Sequence, residues 1–459
     1  MKKKMIPLKF RMFSVAKKAL FLSAMMFSGI LLAQNPFIRD QFTADPTARV
    51  FNGRVYVFPS HDIISPIEPE KEWFSMEDYH VFSSDNLVDW VDHGVIVTQN
   101  KVPWVQEDSY TMWAPDAIER NGKYYFYFPA PAKPEFGKGT MIGVAIADKP
   151  EGPYIPVDKP IAGTSGIDPA LFIDKDGQAY LYWCGPGMWA AKLKPNMIEL
   201  DGAPKRIEGL PAGGGLSEGP FVFERNGTYY FTYPWVKNNT TELLYYVVGD
   251  NPMGPFRDGG VIMDESPTGC WTNHHSFIEY KGQWYLFYHH NDYSPGFDKN
   301  RSSRIDKVQF NADGSIQKVI PTLRGVGITN ATKEINIDRY TGISGEGVSV
   351  TFLNPADKFN GWKTILSKEG AWIRYNDVDF GQGNLKKAKA RVYSAAGGTL
   401  AVRAGKDAAA PVIAKIKVPA SGRWSIIDAA LSETAKGVQD IFVSLEGNNP
   451  VHVDWMSFE

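Results

Sequence analysis

Cysteine is nearly missing from this chain: Cys184 and Cys270 are the two in 459 residues. Two thiols cannot build a disulfide framework, and no Cys-x-x-Cys or His/Cys run has metal-ligand spacing. Both are expected as buried free thiols. Neither sign of charge is in excess, with 49 Lys and Arg against 51 Asp and Glu. That balance leaves no basic footprint for nucleic acid and no acidic tail. Nothing reads as a nucleophile elbow or a phosphate loop, and residues 37–325 show scarcely any helical period. One uncharged apolar run exists, residues 19–33, after Lys2, Lys3, Lys4, Lys9, Arg11, Lys17 and Lys18 and before the polar Gln34-Asn35. It is short of the ~20 residues of a spanning helix. Residues 1–33 are therefore expected to be a signal peptide, leaving a periplasmic or secreted chain with no membrane association after cleavage. No Cys stands at the cut to carry a lipid.

What is present is turn and ring chemistry. Aromatics make up 13% of the chain, with 43 Gly and 31 Pro, a composition of short strands and tight turns. One grammar occurs five times: small turn-forming residues around a polar group, an apolar strand, a two-residue turn, an aromatic strand. It runs from Leu216-Ser217-Glu218-Gly219-Pro220 through Asn226-Gly227 to Tyr229-Tyr230-Phe231. Its echoes are Ala44-Asp45-Pro46 before Asn52-Gly53, Ala114-Pro115-Asp116 before Asn121-Gly122, Ile167-Asp168-Pro169 before Asp176-Gly177, and His274-His275-Ser276 before Lys281-Gly282. Later strand-and-Gly-Pro segments bring each repeat to about four strands. The pattern predicts a five-bladed β-propeller over residues 34–328. Beyond Arg324 the aromatic doublets stop, and alternating strands predict a jelly-roll-like β-sandwich over 329–459.

Three repeats open on an acid in register: Asp45, Asp168 and Glu218. In a propeller, equivalent inner-strand positions converge on one face, and a following Pro or Gly-Pro aims the carboxylate. Three acids on one rim could hold a metal or break a glycosidic bond. Glycoside hydrolysis takes one carboxylic acid for the leaving oxygen and one carboxylate for water or for attack. A third acid nearby raises the pKa of the first by like-charge repulsion. Glu reaches one methylene further than Asp, so Glu218 is expected as the acid and an Asp as the base.

On these motifs the chain resembles a glycoside hydrolase family 43 catalytic domain. The matching stretches are Ala44-Asp45-Pro46, Trp113-Ala114-Pro115-Asp116, Ile167-Asp168-Pro169, Ser217-Glu218-Gly219-Pro220 and Asn273-His274-His275-Ser276, closing with Arg301-Ser302-Ser303-Arg304-Ile305-Asp306. The resemblance implies Asp45 as general base on water, Asp168 as the residue that tunes and orients the acid, and Glu218 as general acid, with inversion. It implies that Trp113, Arg301 and His274 shape the sugar pocket. No cofactor is required on this reading, although His274 matches a position sometimes beside a structural calcium. His289-His290-Asn291-Asp292 is expected as a loop rather than a metal site, and Ser60-His61-Asp62 as bordering the pocket.

The last 130 residues or so resemble a family 6 carbohydrate-binding module through Gly370-Ala371-Trp372, Gly422-Arg423-Trp424 and Asp454-Trp455. Leu366 and Ile427 stand where that family usually places sugar-sandwiching aromatics, and His452 where it places Asn. Trp362 could substitute, but the expectation is a module that packs on the propeller. The chain as a whole is expected to release terminal α-L-arabinofuranose or β-D-xylose from plant polysaccharide. A β-D-galactofuranosidase, an endo-arabinanase and a non-catalytic glycan-binding propeller remain the alternatives.

Overall fold

A two-residue turn with both central residues at positive φ twists in the same sense as the strands it joins, and Asn-Gly adopts it at least cost. Four repeats carry one: Asn52-Gly53 (φ 51° and 76°), Asn121-Gly122 (53° and 74°), Asn226-Gly227 (52° and 85°) and Lys281-Gly282 (51° and 77°). Each closes the hairpin the sequence predicts, for example Thr43–Phe51 against Arg54–His61, with Phe51 opposite Arg54. The computed structural model describes residues 35–67, 73–238, 241–294 and 299–459. The expected signal peptide, 1–33, lies outside them. Among the described residues there is no α-helix, and no helix long and apolar enough to cross a membrane.

Five antiparallel sheets follow one another along the chain. Four have four strands each, beginning with Thr43–Phe51, Asp116–Arg120, Ile167–Ile173 and Phe221–Arg225; the fifth has three, His275–Tyr280, Gln283–His290 and Ser302–Val308. The fifth departs from the expected four strands. After Val308 the chain turns through a Phe310–Ile316 bridge, and Val319 N–H donates to Ile262 of the preceding sheet (2.7 Å), so no fourth strand forms. The amino-terminal segment lies on that sheet instead, with Phe37 N–H to Ser303 O (3.1 Å) and Thr43 N–H to Arg301 O (3.0 Å).

The opening strands are tied together by buried polar side chains. Asp116 accepts from Arg49 Nε (3.1 Å) and from Leu171 N–H (2.6 Å), joining the first three sheets. Ser276 Oγ donates to Pro46 O (2.6 Å) and accepts from Ala48 N–H (2.9 Å), joining the fifth to the first. Between the sheets the aromatic strands supply the core. Phe58, Tyr79, Trp104, Phe126 and Phe128 fill the layer between the first two sheets, each buried ring contributing about 1.5–3 kcal/mol.

From Thr329 the architecture changes to two sheets facing one core. One is built on Trp372–Asp379, Val438–Glu446, Gly398–Gly405 and Val412–Val418, the other on Trp362–Leu366, Val451–Phe458, Lys387–Tyr393 and Ser425–Ala430. Ala388, Ala390, Val392, Ile441, Val443 and Leu445 all point into that core, as their alternation requires. Both cysteines are buried and unbridged.

Candidate active site

Each acid is aimed by a local break in regular backbone. Asp45 sits in the left-handed region (φ 48°) where the pairing of its strand shifts register between Ala44 and Thr47. Asp168 does the same at φ 57°, opposite a register shift between Tyr182 and Cys184. Among non-glycine residues, Asp tolerates that conformation because its short side chain can satisfy local donors. The following Pro46 and Pro169 bring no N–H to the ladder. Glu218 is followed by Gly219 at φ 53°; an added Cβ there would lie 2.8 Å from Pro234 Cγ and 3.1 Å from His274 Cε1.

All six residues expected at the site line one cavity of about 170 Å³: Asp45, Trp113, Asp168, Glu218, His274 and Arg301. They lie at or just before the opening strands of the five sheets or, for Arg301, before the last strand of the fifth. Further wall residues are Trp73, Phe74 and Trp271. Phe74 and Trp271 stack at 5.8 Å with 17° between planes, and Trp73 lies 5.9 Å from Trp271. Trp73 is 47% exposed, so a face of a large ring remains open at the rim.

Asp45 is buried, yet its acidity is increased. Burial alone would raise its pKa, but the Arg301 guanidinium first, and with it the Ser60 hydroxyl, outweigh it and bring it to about 2. Arg301 Nη1 donates to Asp45 Oδ1 (3.0 Å) and Ser60 Oγ to Asp45 Oδ2 (2.6 Å). Arg301 is itself held as a fork on Asp62, with Nε to Oδ2 (2.9 Å) and Nη2 to Oδ1 (2.8 Å), and lies over the Phe74 ring at 4.7 Å. His289 reaches Asp45 as a neutral ring. Its Nδ1 accepts from the Asp45 N–H (3.0 Å), so its proton is on Nε2, which faces Thr272 O (3.0 Å). Its 3.4 Å approach to Asp45 Oδ1 is thus not an ion pair, in keeping with a pKa that burial and Arg301 push well below the usual value.

The opposite environment surrounds the other acids. Asp168 is raised well above the carboxylate range by burial, by Glu218 and by Asp45, against a hydrogen bond from Gly219 N–H to its Oδ2 (2.9 Å). Glu218, half-buried on the cavity wall, is raised by burial and by Asp45 while a hydrogen bond to Glu242 and the Arg301 charge pull the other way. Glu242 is fully buried and is raised well above the usual carboxyl value, by burial and then by Glu218. Its Oε2 accepts from Asn273 N–H (2.8 Å), and no N–H or O–H donor is aimed at its Oε1. A hydrogen bond between two carboxyls needs a proton between them, so Glu242 carries one and donates it toward Glu218.

Glu242, Phe74 and Trp271 carry no signal in the sequence. Thr241-Glu242-Leu243 lacks the turn grammar of the other acids, and rings are everywhere in this chain. Ser60 and Asp62 border the site as expected, but His61 between them faces the other side of the strand. His289 and His290 correct the expectation of a loop: both end the strand Gln283–His290 and are buried, one on Asp45 and the other accepting from Arg304 Nη1 (2.7 Å). Trp113 lies on the wall with Nε1 toward Phe74 O (3.4 Å). His274 Nδ1 is 3.9 Å from Asp45 Oδ1, and burial lowers its pKa. Among the described residues no group of three metal-ligating side chains includes His274, and Ca²⁺ takes six to eight oxygens. The residues present therefore do not form a calcium cage.

Comparison with known proteins gives two family matches: Glycosyl hydrolases family 43 over residues 33–316 and Carbohydrate binding module (family 6) over 340–459. The chain is 38% identical to the Xylosidase/arabinosidase 43A of Humicola insolens across 61% of this chain and 98% of that protein. It is 30% identical to the Arabinoxylan arabinofuranohydrolase of Bacillus subtilis (strain 168) across 92% of each. Among solved structures, a GH43 β-xylosidase/α-arabinofuranosidase from a compost microbial metagenome, in complex with xylotriose, superposes with a TM-score of 0.56 at 34% identity, covering 63% of this chain and 98% of that one.

Proposed function

The chain belongs to glycoside hydrolase family 43, and from that premise we propose that it is an inverting, exo-acting enzyme releasing terminal α-L-arabinofuranose or β-D-xylose from plant polysaccharide. The observation that carries this is the contrast inside one cavity between Asp45, held ionised down to about pH 2, and Glu218, whose pKa is raised. Pairs of acids pushed apart in this way take the base and acid roles. Asp45 takes a proton from water as its oxygen attacks the anomeric carbon; Glu218 gives its proton to the leaving oxygen as the C–O bond breaks. Asp168 positions the Glu218 loop through Gly219 N–H and tunes the acid because two buried neighbouring carboxyls resist ionising together. Trp113, Arg301 and His274 hold the sugar. The relatives' printed activities support the two substrates. The volume of about 170 Å³, below the roughly 300–1,000 Å³ of pockets for larger ligands, suits one sugar ring and supports exo action.

The five sheets are read as blades of one five-bladed β-propeller spanning 34–328, supported by the polar ties that close the first sheet on the fifth. Residues 329–459 are the carbohydrate-binding-module-like part. Export to the periplasm or medium rests on the amino-terminal segment, and sequencing the mature amino terminus checks it. Hydrolysis is proposed to need no cofactor. A calcium ion beside His274 would have to complete its shell with water, and adding CaCl2 is expected to leave the rate at 25 °C unchanged.

Hydrolysis of aryl α-L-arabinofuranoside, β-D-xyloside and β-D-galactofuranoside by wild type and Glu218→Ala tests the reading, with product anomers followed by NMR. Phenolates leave with little acid help. The variant is expected to keep turnover on aryl substrates while losing at least ~100-fold on oligosaccharides. Retention of configuration would remove Asp45 as base on water, and binding without turnover in wild type would point to a lectin-like propeller.

A further inference from the structure

Along the strand Arg54–His61, the odd-numbered Val55 and Val57 face the layer that also holds Phe37, Ile38 and Phe82. Alternation puts His61 on the same face at the strand's end. On the neighbouring strand Asp78–Ser84, residues 78, 80 and 82 share that face. The apolar layer therefore ends in His61, Asp78 and His80, three side chains of metal-ligating type and none of them hydrophobic. His61 Nδ1 lies 2.7 Å from Asp78 Oδ1, and the His61 and His80 rings are 5.1 Å apart. One ligand atom from each of the three falls within 4.8 Å of the others. In a tetrahedral zinc site such atoms are ~3.3 Å apart, so a bound ion would draw the three side chains together.

A fourth residue sets the tautomer. Asp92, on the next strand of the sheet, meets His80 Nδ1 with both oxygens at 3.0 Å. A ring that donates Nδ1–H to a carboxylate presents Nε2 as a free lone pair, the arrangement that orients metal-bound histidines in general. Gln41 Nε2 fixes Asp92 in turn (3.3 Å). The side chains are 22%, 12% and 15% exposed for His61, Asp78 and His80, enough shielding to hold an ion and enough access for it to enter.

We propose that His61, Asp78 and His80 form a zinc site on the first sheet, separate from the catalytic cavity, with a water in the fourth position and Asp92 as the carboxylate behind His80. Two imidazoles and one carboxylate suit Zn²⁺ and do not suit Ca²⁺, which takes oxygen donors. The ion would join the two ends of residues 61–78, the stretch that carries Trp73 and Phe74 to the sugar cavity. It would also fix the strand position between Ser60 and Asp62, which hold Asp45 and Arg301. The site is thus a brace under one wall of the cavity.

Isothermal titration of EDTA-stripped enzyme with ZnCl2, and separately with CaCl2, tests this. Wild type is expected to bind one Zn²⁺ per chain, with the melting temperature rising by a few degrees, and to show no Ca²⁺ binding that competes with it. His61→Gln/His80→Gln is expected to lose that zinc equivalent, and Asp92→Asn to bind it about tenfold more weakly. The glutamines keep the volume, and the unchanged circular dichroism of the double variant guards against misfolding. His274, His289 and His290 remain in the double variant, so zinc retained there would place binding elsewhere and overturn the proposal. So would a wild type that takes up no zinc at 100 µM. Aryl-glycoside turnover of the zinc-loaded wild type is read in parallel, and its absence there would bear on the catalytic reading alone.

Discussion

At the scale of single residues, the strongest constraint on the proton inventory is Glu242. Fully buried beside Glu218 and Asp168, it holds its proton well above the usual carboxyl pKa and offers it to Glu218. A neutral donor there stabilises the anion that Glu218 becomes as it protonates the leaving group. Glu242→Gln keeps a neutral donor, so the pH profile of kcat/KM is expected to stay within about 0.3 units of wild type. Glu242→Leu removes the donor. Glu218 is then harder to ionise, turnover persists to higher pH because a raised acid is lost later as pH rises, and the alkaline limb moves up by about one unit. Turnover of unactivated oligosaccharides falls about tenfold while aryl substrates are spared. An alkaline limb that moves down in Glu242→Gln would mean Glu242 is charged in the working enzyme. The positions of Asp45, Asp168 and Glu218 are legible in the sequence because each sits in a turn signature with a following Pro or Gly-Pro. Glu242 is not: its role comes from burial against residues 24 and 74 positions away, which no local pattern encodes.

At the scale of elements, the site depends on three departures from regular strand. Asp45 and Asp168 occupy left-handed positions, and Gly219 brings the backbone against Pro234 and the edge of His274. Its N–H reaches Asp168, so the loop after Glu218 is fixed from both sides. Gly219→Ala would drive a Cβ to 2.8 Å from Pro234 Cγ and strain a positive φ. The expected result is a fall of at least tenfold in kcat, since displacement of a catalytic group by about 1 Å can cost ~100-fold, with stability down by about 1–2 kcal/mol. Melting and single-turnover rates measured together check it; an unchanged kcat would mean Glu218 is aimed by something other than this loop. The hairpins were readable because Asn-Gly turns fix strand register within a few residues. The three-stranded fifth sheet was not, because its missing strand depends on where the chain goes after Val308, a choice made by the distant Ile262 carbonyl.

At the scale of the whole molecule, the sandwich meets the catalytic part through rings. Tyr293, fully buried, lies 4.6 Å from Trp362 and 5.2 Å from Phe359, and Phe42 lies 4.8 Å from Phe359. The Arg339 guanidinium covers Trp362 at 3.5 Å. Trp362 is therefore spent on this contact, which corrects the suggestion that it could replace a missing sugar platform. Leu366 is buried in the sandwich core and Ile427 packs against it, so neither usual platform position offers an open ring. The sequence showed a sandwich from its alternation, but a contact between two folded parts leaves no period to read. Phe359→Ala/Trp362→Ala removes the rings facing Tyr293 and Phe42 and leaves every residue of the catalytic cavity in place. Burial and ring pairing on this scale are worth about 2–4 kcal/mol. The single melting transition is expected to become two, the lower one belonging to the part that loses more of its support. Aryl-glycoside kcat at 25 °C should stay within twofold of wild type, since Asp45, Asp168, Glu218 and Glu242 touch neither ring. A calorimetric trace that remains a single transition at the wild-type temperature would show that the rings touch without coupling the two parts, and the sandwich would then need an open sugar-binding surface to account for its place in the chain.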